Sequence, residues 1–415
     1  QIEASVLTMY DNARLRGAML AGKEATWEML DGEVTKQLNN LGARGGAIRI
    51  VSNTILSPTT KKVVGDFQAK FPSTQHVTYD PVSAHGMLEA NVSSFGTRAI
   101  PSYDFSKADV IVSVDADFLG TWISPVEFTK QYSKTRKLNG GKKSMSRHFQ
   151  FESNLSLAGA NADYRGMIKP SEVGAVIKEL YKAVSGGSAS GFPHIEKAGA
   201  ELRKAGTKGL VVCGSNDPNV QTIVNAINDK LGAYGSTIDW SKPTNYRQGD
   251  DRAMDAFIDD LKAKRVGGVI FYNCNPVYNH PRGAEIAEAI ANAGISISTS
   301  DRLDETAALC SAVAPDHHFL ESWNDAEPVN GHFSFTQPTI TPVFKTRQVQ
   351  ESLLTWAGAA NTDYYTYLME NWSASAGADF VGVKALQDGV YADPAPPEVE
   401  ESVVQSETAG YQCDT

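Results

Sequence analysis

The sequence predicts an α/β protein with two doubly wound, mainly parallel-sheet domains and an extended carboxyl-terminal arm. Short β-branched runs alternate with helical stretches over residues 46–358, which is typical of parallel strands flanked by helices. Most of these runs end in Asn, Asp, Ser or Gly. Such endings are expected where buried parallel strands deliver polar loops to one edge of a sheet.

The first half of the chain contains a helical segment and one α/β domain. Residues 1–45 are predicted to be mostly helical, because apolar residues recur there near helical spacing: Trp27, Met29, Leu30, Val34 and Leu38. Residues 46–190 are predicted to form the first α/β domain. Its predicted strands and helices, in order, are strand 47–53, helix 63–71, strands 76–80 and 108–120, helix 125–132, strand 146–153 and helix 171–184.

A Gly- and Ser-rich stretch, 185–194, is the predicted linker to the second α/β domain, 191–358. There the pattern restarts as strand, loop and helix over 209–235, helix, strand and loop over 252–276, helix and strand over 282–300, and a short strand over 307–315. Residues 359–415 differ from this pattern. They contain an aromatic-rich helix, 362–372, and a Pro-rich acidic stretch, 393–407, predicted to be an extended arm or linker.

Composition excludes several classes of protein. The 38 basic and 48 acidic residues leave a net charge of −10, which argues against a nucleic-acid partner. No apolar run approaches the length of about 20 residues that a bilayer span requires. Because the sequence opens at Gln1 without a methionine, we expect it to be part of a longer polypeptide, so a targeting segment cannot be judged from it.

The four cysteines are scattered without CxxC spacing: Cys213, Cys274, Cys310 and Cys413. An iron–sulfur cluster needs four thiolates brought together, usually from closely spaced runs. The first three lie in or beside apolar runs, and we expect them to be buried free thiols.

Four polar strand ends could meet as a ligand-binding crevice: 52–54, 115–117, 214–217 and 273–276. The alternative is that Asn, Asp, Ser and Gly serve only as turn residues. Asp115 and Asp117 could likewise hold a cation or perform acid–base chemistry, but capping of the following segment is the favoured interpretation. The sequence contains no GxGxxG, GxxxxGK[ST] or GxSxG motif.

The densest cluster of potential metal ligands is Asp316, His317, His318 and Glu321. Adjacent histidines on a strand point to opposite faces, so they could not bind one metal ion without a bend. A HExxH arrangement is also absent. We therefore predict no metal site here.

Several longer stretches resemble the large subunit of molybdopterin oxidoreductases. They are NLSLAGANADYRGMIKPSE at 154–172, FYNCNPVYNHP at 271–281 and the stretch 303–358. ADFLGTWISPVEF at 116–128 and SFTQPTITPVFKTRQVQESLL at 334–354 resemble the molybdopterin-like B subunit of bacterial alternative complex III, a quinol-oxidising respiratory complex. The resemblance runs from SVLTMYDNARLRG at 5–17 to about Gly358.

Members of the broader family that hold the cofactor carry an Asp-Pro-Arg and a Pro-Gly-Thr-Asp motif, whose last Asp recognises the guanine of the pterin dinucleotide. Here the first motif falls on Glu152, Ser153 and Asn154, and the second on Pro170, Ser171, Glu172 and Val173. Valine accepts no hydrogen bond, and guanine donors left unpaired in a closed pocket would cost about 1–3 kcal/mol. Glu172 could substitute only by a shift of register. The candidate residues of this vestigial pocket are Glu152, Asn154, Asp163, Glu172, Asn216 and Asn275.

The resemblance implies a non-catalytic structural and assembly domain, with no catalytic residue and no cofactor of its own. It implies that iron–sulfur clusters lie in a further, carboxyl-terminal portion of the same subunit. The implied partners are a multihaem cytochrome c subunit and integral-membrane quinol-binding subunits, with membrane contact only through them, at the periplasmic face of the bacterial inner membrane. Two alternatives stay open: an active molybdenum oxidoreductase with bis(pterin guanine dinucleotide), and a small-molecule binding module that uses the emptied crevice.

Overall fold

A computed structural model of the chain describes residues 3–138, 144–375 and 382–392. It has a mixed α/β architecture in which most strands pair in parallel. The arm predicted within 393–415, and Cys413 with it, lie outside the described residues.

The helices of the described residues are, in chain order, α1 Val6–Met9, α2 Trp27–Ala43, α3 Pro58–Lys70, α4 His85–Phe95, α5 Pro125–Arg136, α6 Leu157–Ala160, α7 Val173–Val184, α8 Ile195–Ala205, α9 Pro218–Leu231, α10 Asp251–Lys262, α11 Pro276–Asn279, α12 Gly283–Ala289, α13 Val349–Ala357, α14 Tyr364–Ser375 and α15 Gly382–Asp388. None of them combines the length and the apolar character that crossing a bilayer demands.

The strands are β1 Met19–Leu20, β2 Lys23–Glu24, β3 Ile48–Ser52, β4 Thr74–Thr78, β5 Ile100–Tyr103, β6 Val110–Val114, β7 Arg147–Glu152, β8 Tyr164–Met167, β9 Gly209–Cys213, β10 Ile238–Thr244, β11 Gly268–Tyr272, β12 Ile295–Ser298, β13 Ala312–Val313, β14 Asn324–Val329, β15 His332–Thr336 and β16 Val390–Ala392.

The chain divides into two compact units. Unit 1 comprises the described residues of Gln1–Val82 and Gln248–Pro396, and unit 2 comprises those of Ser83–Arg247. This division differs from the boundaries expected at 45/46, 190/191 and 358/359. The chain leaves unit 1 after two parallel strands and returns to the same sheet at β11, so unit 1 is discontinuous in sequence.

Unit 1 is built on a seven-stranded sheet of order β2-β1-β13-β12-β11-β3-β4. The strands from β13 to β4 are parallel, and the short β1–β2 hairpin joins one edge in antiparallel orientation. Helices pack on both faces. Ile50 and Ile270 point into a core with α2, α3 and α13, whereas Val51 and Phe271 point into a core with α10 and α12. This alternation is what a doubly wound sheet requires.

Unit 2 contains a four-stranded parallel sheet of order β8-β7-β6-β9. Val112 and Phe149 face a core formed with α7, α8 and α9, and Ile111 and Val212 face a second core that includes residues of α5. An antiparallel pair, β5 with β10, also belongs to this unit, and β14, β15 and β16 form an antiparallel ladder in unit 1.

The predicted linker 185–194 does not separate two units, because it joins α7 to α8 within unit 2. Ala189 is buried, and Glu179 of α7 accepts a hydrogen bond from the amide of Ser190. The segment therefore packs as part of the unit, and its Gly186 and Gly191 have positive φ. The two helices that it joins lie close together, since a Cβ at Gly199 of α8 would overlap Ala183 of α7.

The amino-terminal segment is helical over α2 but not throughout. The β1–β2 hairpin turns at Ala21 and Gly22, which both have positive φ, and lies where the sequence predicted helix. Of the apolar residues at helical spacing, Leu30, Val34 and Leu38 are buried, whereas Met29 is exposed. The expectation of buried free thiols is confirmed for Cys213, Cys274 and Cys310.

Candidate functional site

The strand order of unit 1 reverses between β3 and β11. From β3 the chain moves outward to β4, and from β11 it moves the other way to β12 and β13. Such a switch point leaves a crevice beyond the carboxyl ends of the two central strands, where open α/β sheets bind ligands. Asn53 and Asn273 are the residues that follow these strands, since Ser52 pairs with Tyr272.

Two cavities open at this switch point, and Asn53 and Asn273 line both of them. One has a volume of about 250 Å³ and extends along the loop from β3 to the start of α3, reaching Asp325. The other has a volume of about 400 Å³ and extends under the loops that follow β11, β12 and β13. Two of the four predicted polar strand ends, 52–54 and 273–276, therefore meet here.

The backbone of Asn273 is held in a left-handed conformation with a φ of 45°. Its side chain compensates for this geometry, because the amide nitrogen donates to Asp316 at 2.6 Å and the amide oxygen accepts from Thr299 at 2.8 Å. Asn is among the few residues that tolerate this region of φ and ψ. Asn273 is therefore positioned by neighbours that line or adjoin the cavity.

The 400 Å³ cavity is acidic. Among the described residues, its lining contains Asp301, Asp304 and Asp316 but neither Lys nor Arg, and the lining of the 250 Å³ cavity contains Asp325, again without Lys or Arg. Asp301 also forms ion pairs with Arg14 and Arg302, each at 3.3 Å. Burial raises the pKa of Asp316 to about 7, although Asn273 and two backbone amides donate to its carboxylate. A pyrophosphate group would meet like charge in this cavity, and like charges at close range disfavour binding.

His317 and His318 both line the 400 Å³ cavity. Burial lowers the pKa of His317 to about 4, and its Nδ1 lies 2.6 Å from the hydroxyl of Thr346. The Nε2 of His318 lies 2.8 Å from the hydroxyl of Thr8. Within the described ranges, no group of three His, Cys, Asp or Glu side chains is placed to hold a metal ion.

The sheet of unit 2 has its own switch point, between β6 and β9. Asp115 follows β6 with a φ of 53°, and a Cβ at Gly214, which follows β9, would overlap the carbonyl oxygen of Asp115. The two backbones approach so closely that only glycine fits at position 214. Burial and the neighbouring charge of Glu152 both raise the pKa of Asp115. The other two predicted strand ends, 115–117 and 214–217, therefore meet here.

Glu152, the last residue of β7, is fully engaged within unit 2. Its carboxylate accepts from Arg165 Nε at 2.8 Å, from the amide and hydroxyl of Ser156 at 3.2 and 2.5 Å, and from Gln150 Nε2 at 3.1 Å. Burial raises the pKa of this carboxyl, but the hydrogen bonds from Arg165 and Ser156 outweigh burial and hold the pKa below its usual value. Arg165 also donates to the carbonyl oxygen of Asn154 at 2.7 Å.

Asp163 lies at the opposite edge of the same sheet. It precedes β8, accepts from the amide of His148 at 2.8 Å, and forms an ion pair with Arg136 at 2.7 Å. Because β7 and β8 are parallel, this position is at the amino ends of the strands and not at their carboxyl ends. Asp163 is therefore separated from Glu152 by the length of the strands.

Glu172 ends a short 3-10 turn, Pro170–Glu172, and Val173 begins α7. The Glu172 carboxylate accepts from the amide of Lys169 at 2.8 Å and forms a capping interaction. Val173 is 8% exposed and packs in the hydrophobic core with Val176 and Ile177. The side chain at position 173 thus points into the interior of the unit.

The two asparagines among the candidates lie in different units. In unit 2 the side chain of Asn216 accepts from the amide of Gly86 at 2.8 Å. In unit 1 Asn275 lines the 400 Å³ cavity, accepts from Thr306 at 2.7 Å and donates to Glu305 at 2.7 Å. Asn53 belongs to the predicted strand end 52–54. Asp301 and Asp304 were not predicted, although they follow the apolar run of β12.

Comparisons with known proteins extend these observations. No family model matches the chain. The menaquinone reductase, molybdopterin-binding-like subunit, of Nitratidesulfovibrio vulgaris is 28% identical over 127 residues, which are 29% of this chain and 18% of that relative. The chain thus aligns with less than a fifth of the relative's length.

Solved structures match over much more of the chain. Acetylene hydratase from Pelobacter acetylenicus has a TM-score of 0.72 at 9% identity, covering 94% of this chain and 68% of the hydratase. A chain of the formyltransferase/hydrolase complex from Methylorubrum extorquens, in complex with methylofuran, has a TM-score of 0.57 at 12% identity, covering 86% of this chain and 100% of that one.

These similarities confirm the predicted fold class. The chain is a mixed α/β protein with mostly parallel sheets and the fold of the molybdopterin oxidoreductase type, and it has weak homology to a molybdopterin-binding-like subunit of a menaquinone reductase.

Proposed function

We propose that the chain is the molybdopterin-like domain of the iron–sulfur electron-transfer subunit of a respiratory quinol-oxidising complex, alternative complex III. In this role it is a structural and assembly domain without a molybdenum site of its own. Its partners are a multihaem cytochrome c subunit and integral-membrane quinol-binding subunits, at the periplasmic face of the bacterial inner membrane. Its iron–sulfur clusters belong to further sequence of the same subunit. The homology to a menaquinone reductase subunit and the fold support this assignment.

The proposal depends mainly on the contacts made by the residues that align with the two cofactor motifs. Glu152 is paired with Arg165, Glu172 caps a helix, and Val173 is buried in the core. Val173 offers no acceptor to a guanine base, and the carboxylates of Glu152 and Glu172 already accept from groups of unit 2. The Glu172 carboxylate already accepts from the amide of Lys169, which holds the turn at Pro170–Glu172 before α7.

The charge of the cavities in unit 1 supports the same conclusion. A pterin dinucleotide carries phosphates, which proteins bind with Arg, Lys, backbone amides and helix amino termini. The described lining of the 400 Å³ cavity instead carries three aspartates. The residues present therefore do not fit an anionic dinucleotide.

Metal and pterin analysis tests the proposal directly. The purified chain, expressed in a host that makes the pterin dinucleotide, is expected to contain less than about a tenth of an equivalent of molybdenum or tungsten, and to release no fluorescent pterin after oxidation. A full equivalent of either metal, with its pterin, would favour the alternative of an active molybdenum oxidoreductase.

A turnover measurement on the assembled complex separates the two functions further. Asn275→Ala removes a side chain that lines the 400 Å³ cavity. A structural domain predicts quinol oxidation within about twofold of the unmodified complex, whereas a catalytic site there predicts a loss of about 100-fold or more. Deletion of the whole domain is expected to abolish co-purification of the multihaem cytochrome c subunit. If the cytochrome still co-purified in full yield, the assembly role would be refuted.

A further inference from the structure

Among the described residues, two of the three carboxylates that line the 400 Å³ cavity of unit 1 already have partners within the protein. Asp301 forms ion pairs with Arg14 and Arg302, each at 3.3 Å. The carboxylate of Asp316 accepts from the side-chain amide of Asn273 and from two backbone amides. The carboxylate that remains available to a ligand is therefore that of Asp304.

The carboxylate of Asp304 is only half engaged. Its Oδ1 accepts from the backbone amide of Ala307 at 2.8 Å, whereas its Oδ2 forms no hydrogen bond or ion pair with any residue that the structure describes. No Lys or Arg belongs to the described lining, and burial lowers the pKa of both His317 and His318, so both are neutral at pH 7. An unpaired carboxylate oxygen in such a cavity attracts a cation and repels an anion.

Two asparagines of the cavity wall also have hydrogen-bonding groups without a partner among the described residues. Asn53 donates through Nδ2 to the carbonyl oxygen of Tyr79 at 2.8 Å, which leaves its Oδ1 as an acceptor. Asn279 accepts through Oδ1 from the hydroxyl of Tyr79 at 2.8 Å, which leaves its Nδ2 as a donor. The cavity therefore offers two acceptors, on Asp304 and Asn53, to a ligand that carries N–H donors.

Exposed apolar side chains adjoin this polar lining. Phe319 itself lines the cavity and is 49% exposed. Tyr278, which precedes the lining residue Asn279, is 74% exposed. Leu303, which precedes the lining residue Asp304, is 51% exposed. Aromatic and aliphatic surface beside a polar cavity is typical of a site whose ligand has an apolar portion.

An organic cation fits this lining better than a metal ion. A metal ion needs several oxygen, nitrogen or sulfur ligands around one point, and within the described ranges no three His, Cys, Asp or Glu side chains are placed to supply them. The ring of Phe319 would add nothing to the binding of a hydrated metal ion. It can, however, attract an ammonium group through its face or pack against a hydrocarbon chain.

We propose that the 400 Å³ cavity binds a small primary amine with an aliphatic or aromatic body. The ammonium group donates to the free oxygen of Asp304, with the amide oxygen of Asn53 as a further acceptor, and the body packs against Phe319. The 250 Å³ cavity lacks a free carboxylate, because Asp325 there accepts from two hydroxyl groups and from the indole of Trp372. Amine binding goes beyond the proposed assembly role and does not depend on it.

Isothermal titration calorimetry of the purified chain with phenethylamine and with hexylamine tests the proposal. We expect at least one of the two amines to bind with a dissociation constant below about 1 mM. Phenethyl alcohol, which has the same shape without the charge, should bind at least about tenfold more weakly than phenethylamine, and the anion hydrocinnamate should not bind. Trimethylation of the amine removes its N–H donors and should weaken binding about fivefold.

Two variants locate the amine in the cavity. Asp304→Asn removes the negative charge but keeps an oxygen that can accept from the amide of Ala307, so we expect amine binding to weaken about 10- to 30-fold. Phe319→Ala should weaken phenethylamine binding about fivefold. The matched control is Asp363→Asn, which removes one charge from a carboxylate that accepts from the amide of Thr366 outside the cavity, and it should bind within about twofold of the unmodified chain.

Four outcomes would overturn the inference. They are no binding of either amine, equal binding of phenethylamine and phenethyl alcohol, equal affinities of the Asp304→Asn and Asp363→Asn variants, and displacement of the amine by an equivalent of calcium. The last result would instead be expected of a metal site. Circular dichroism of each variant ensures that a loss of binding is not a loss of folding.

Discussion

The carboxyl edge of the sheet in unit 1 opens into two polar cavities, whereas the carboxyl edge of the sheet in unit 2 holds a closed set of its own side chains. Both sheets are mainly parallel, and both contain a point where the strand order reverses. At that point each has a non-glycine residue with positive φ after a strand, Asn273 after β11 and Asp115 after β6. In unit 1 the loops leave space lined by Asn and Asp. In unit 2 Glu152, Arg165 and Ser156 bind one another.

This comparison shows that similar backbone layouts can present different chemistry. The difference lies in which residue follows or ends each strand. In unit 2 the carboxylate of Glu152 pairs with Arg165, and Val173 is buried in the core. In unit 1 the loops instead line the 400 Å³ cavity with Asn and Asp side chains.

Removing Glu152 should have the largest effect. Glu152→Ala leaves Arg165, Ser156 and Gln150 without their shared acceptor. We expect a loss of about 2–4 kcal/mol in the free energy of unfolding, because a partly buried cation loses its partner. Urea denaturation measures it. Glu172→Ala, which removes only an exposed cap, should cost about 1 kcal/mol or less, and equal losses from the two variants would mean that the Glu152 network adds little.

Substitution of Gly159, which packs against the carboxylate of Glu152, should lower the free energy of unfolding nearly as much. A Cβ at Gly159 would overlap Glu152, whereas a Cβ at Gly65, in α3 of unit 1, meets nothing within 4 Å. We expect Gly159→Ala to destabilise the protein by about 1–3 kcal/mol. Gly65→Ala should instead stabilise it by about 0.5–1 kcal/mol, because alanine favours a helix over glycine. The urea midpoints of the two variants should therefore move in opposite directions. If both midpoints moved the same way, the close packing of Gly159 against Glu152 would be contradicted.

Acid should weaken unit 2 through His148. Burial lowers the pKa of His148 to about 4, and its ring contacts Tyr132 and Gln150. The unfolded chain takes up this proton near pH 6.5, whereas the folded chain resists it until about pH 4. Stability is therefore present at neutral pH and lost as pH falls from about 6.5 to 4, on the order of 3 kcal/mol for this group.

His148→Gln should flatten this part of the profile of urea midpoint against pH. His76 of β4 in unit 1 also has its pKa lowered to about 4 by burial and offers the matched comparison. His76→Gln should flatten the profile to a similar degree. If neither variant changed the slope, the two histidines would not be the source of the acid sensitivity.

The smallest expected effect distinguishes the two positive-φ residues. Asp115→Gly relieves the left-handed backbone and the repulsion from Glu152, so we expect stabilisation of about 0.5–1 kcal/mol. Asn273→Gly relieves the same strain but loses the hydrogen bonds to Asp316 and Thr299, so we expect no net gain. The midpoints of thermal unfolding of the two variants measure the difference. If Asn273→Gly raised the midpoint as much as Asp115→Gly, the hydrogen bonds of Asn273 to Asp316 and Thr299 would contribute nothing to stability.

The local sequence pattern was sufficient to predict the central strands and most of the helices. The apolar runs that became β6, β9 and β11 are buried on both faces, and such continuous runs are typical of parallel strands. α7 and α14 were predicted from periodicity and from aromatic content. The polar face of β7 was not foreseen: His148, Gln150 and Glu152 alternate with buried phenylalanines and form a hydrogen-bonded row inside the protein.

The candidate site divided in the same way. The sequence was enough to predict that polar strand ends meet in a crevice, because parallel strands deliver their carboxyl ends to one edge of the sheet. Which ends meet did not follow. Asp163 looked like a pocket residue beside Glu152 in sequence, yet the parallel register of β7 and β8 places it at the amino edge.

By itself, the sequence determined the α/β class, the polar ends of the strands and the buried cysteines. Tertiary structure alone decided that β9 joins the sheet of β6 and that β11 returns to pair with β3, more than 200 residues earlier in the chain. It also decided that Glu152 meets Arg165. The physical reason is that hydrophobic periodicity reports which face of an element is buried, whereas strand partners are selected by packing between segments distant in sequence.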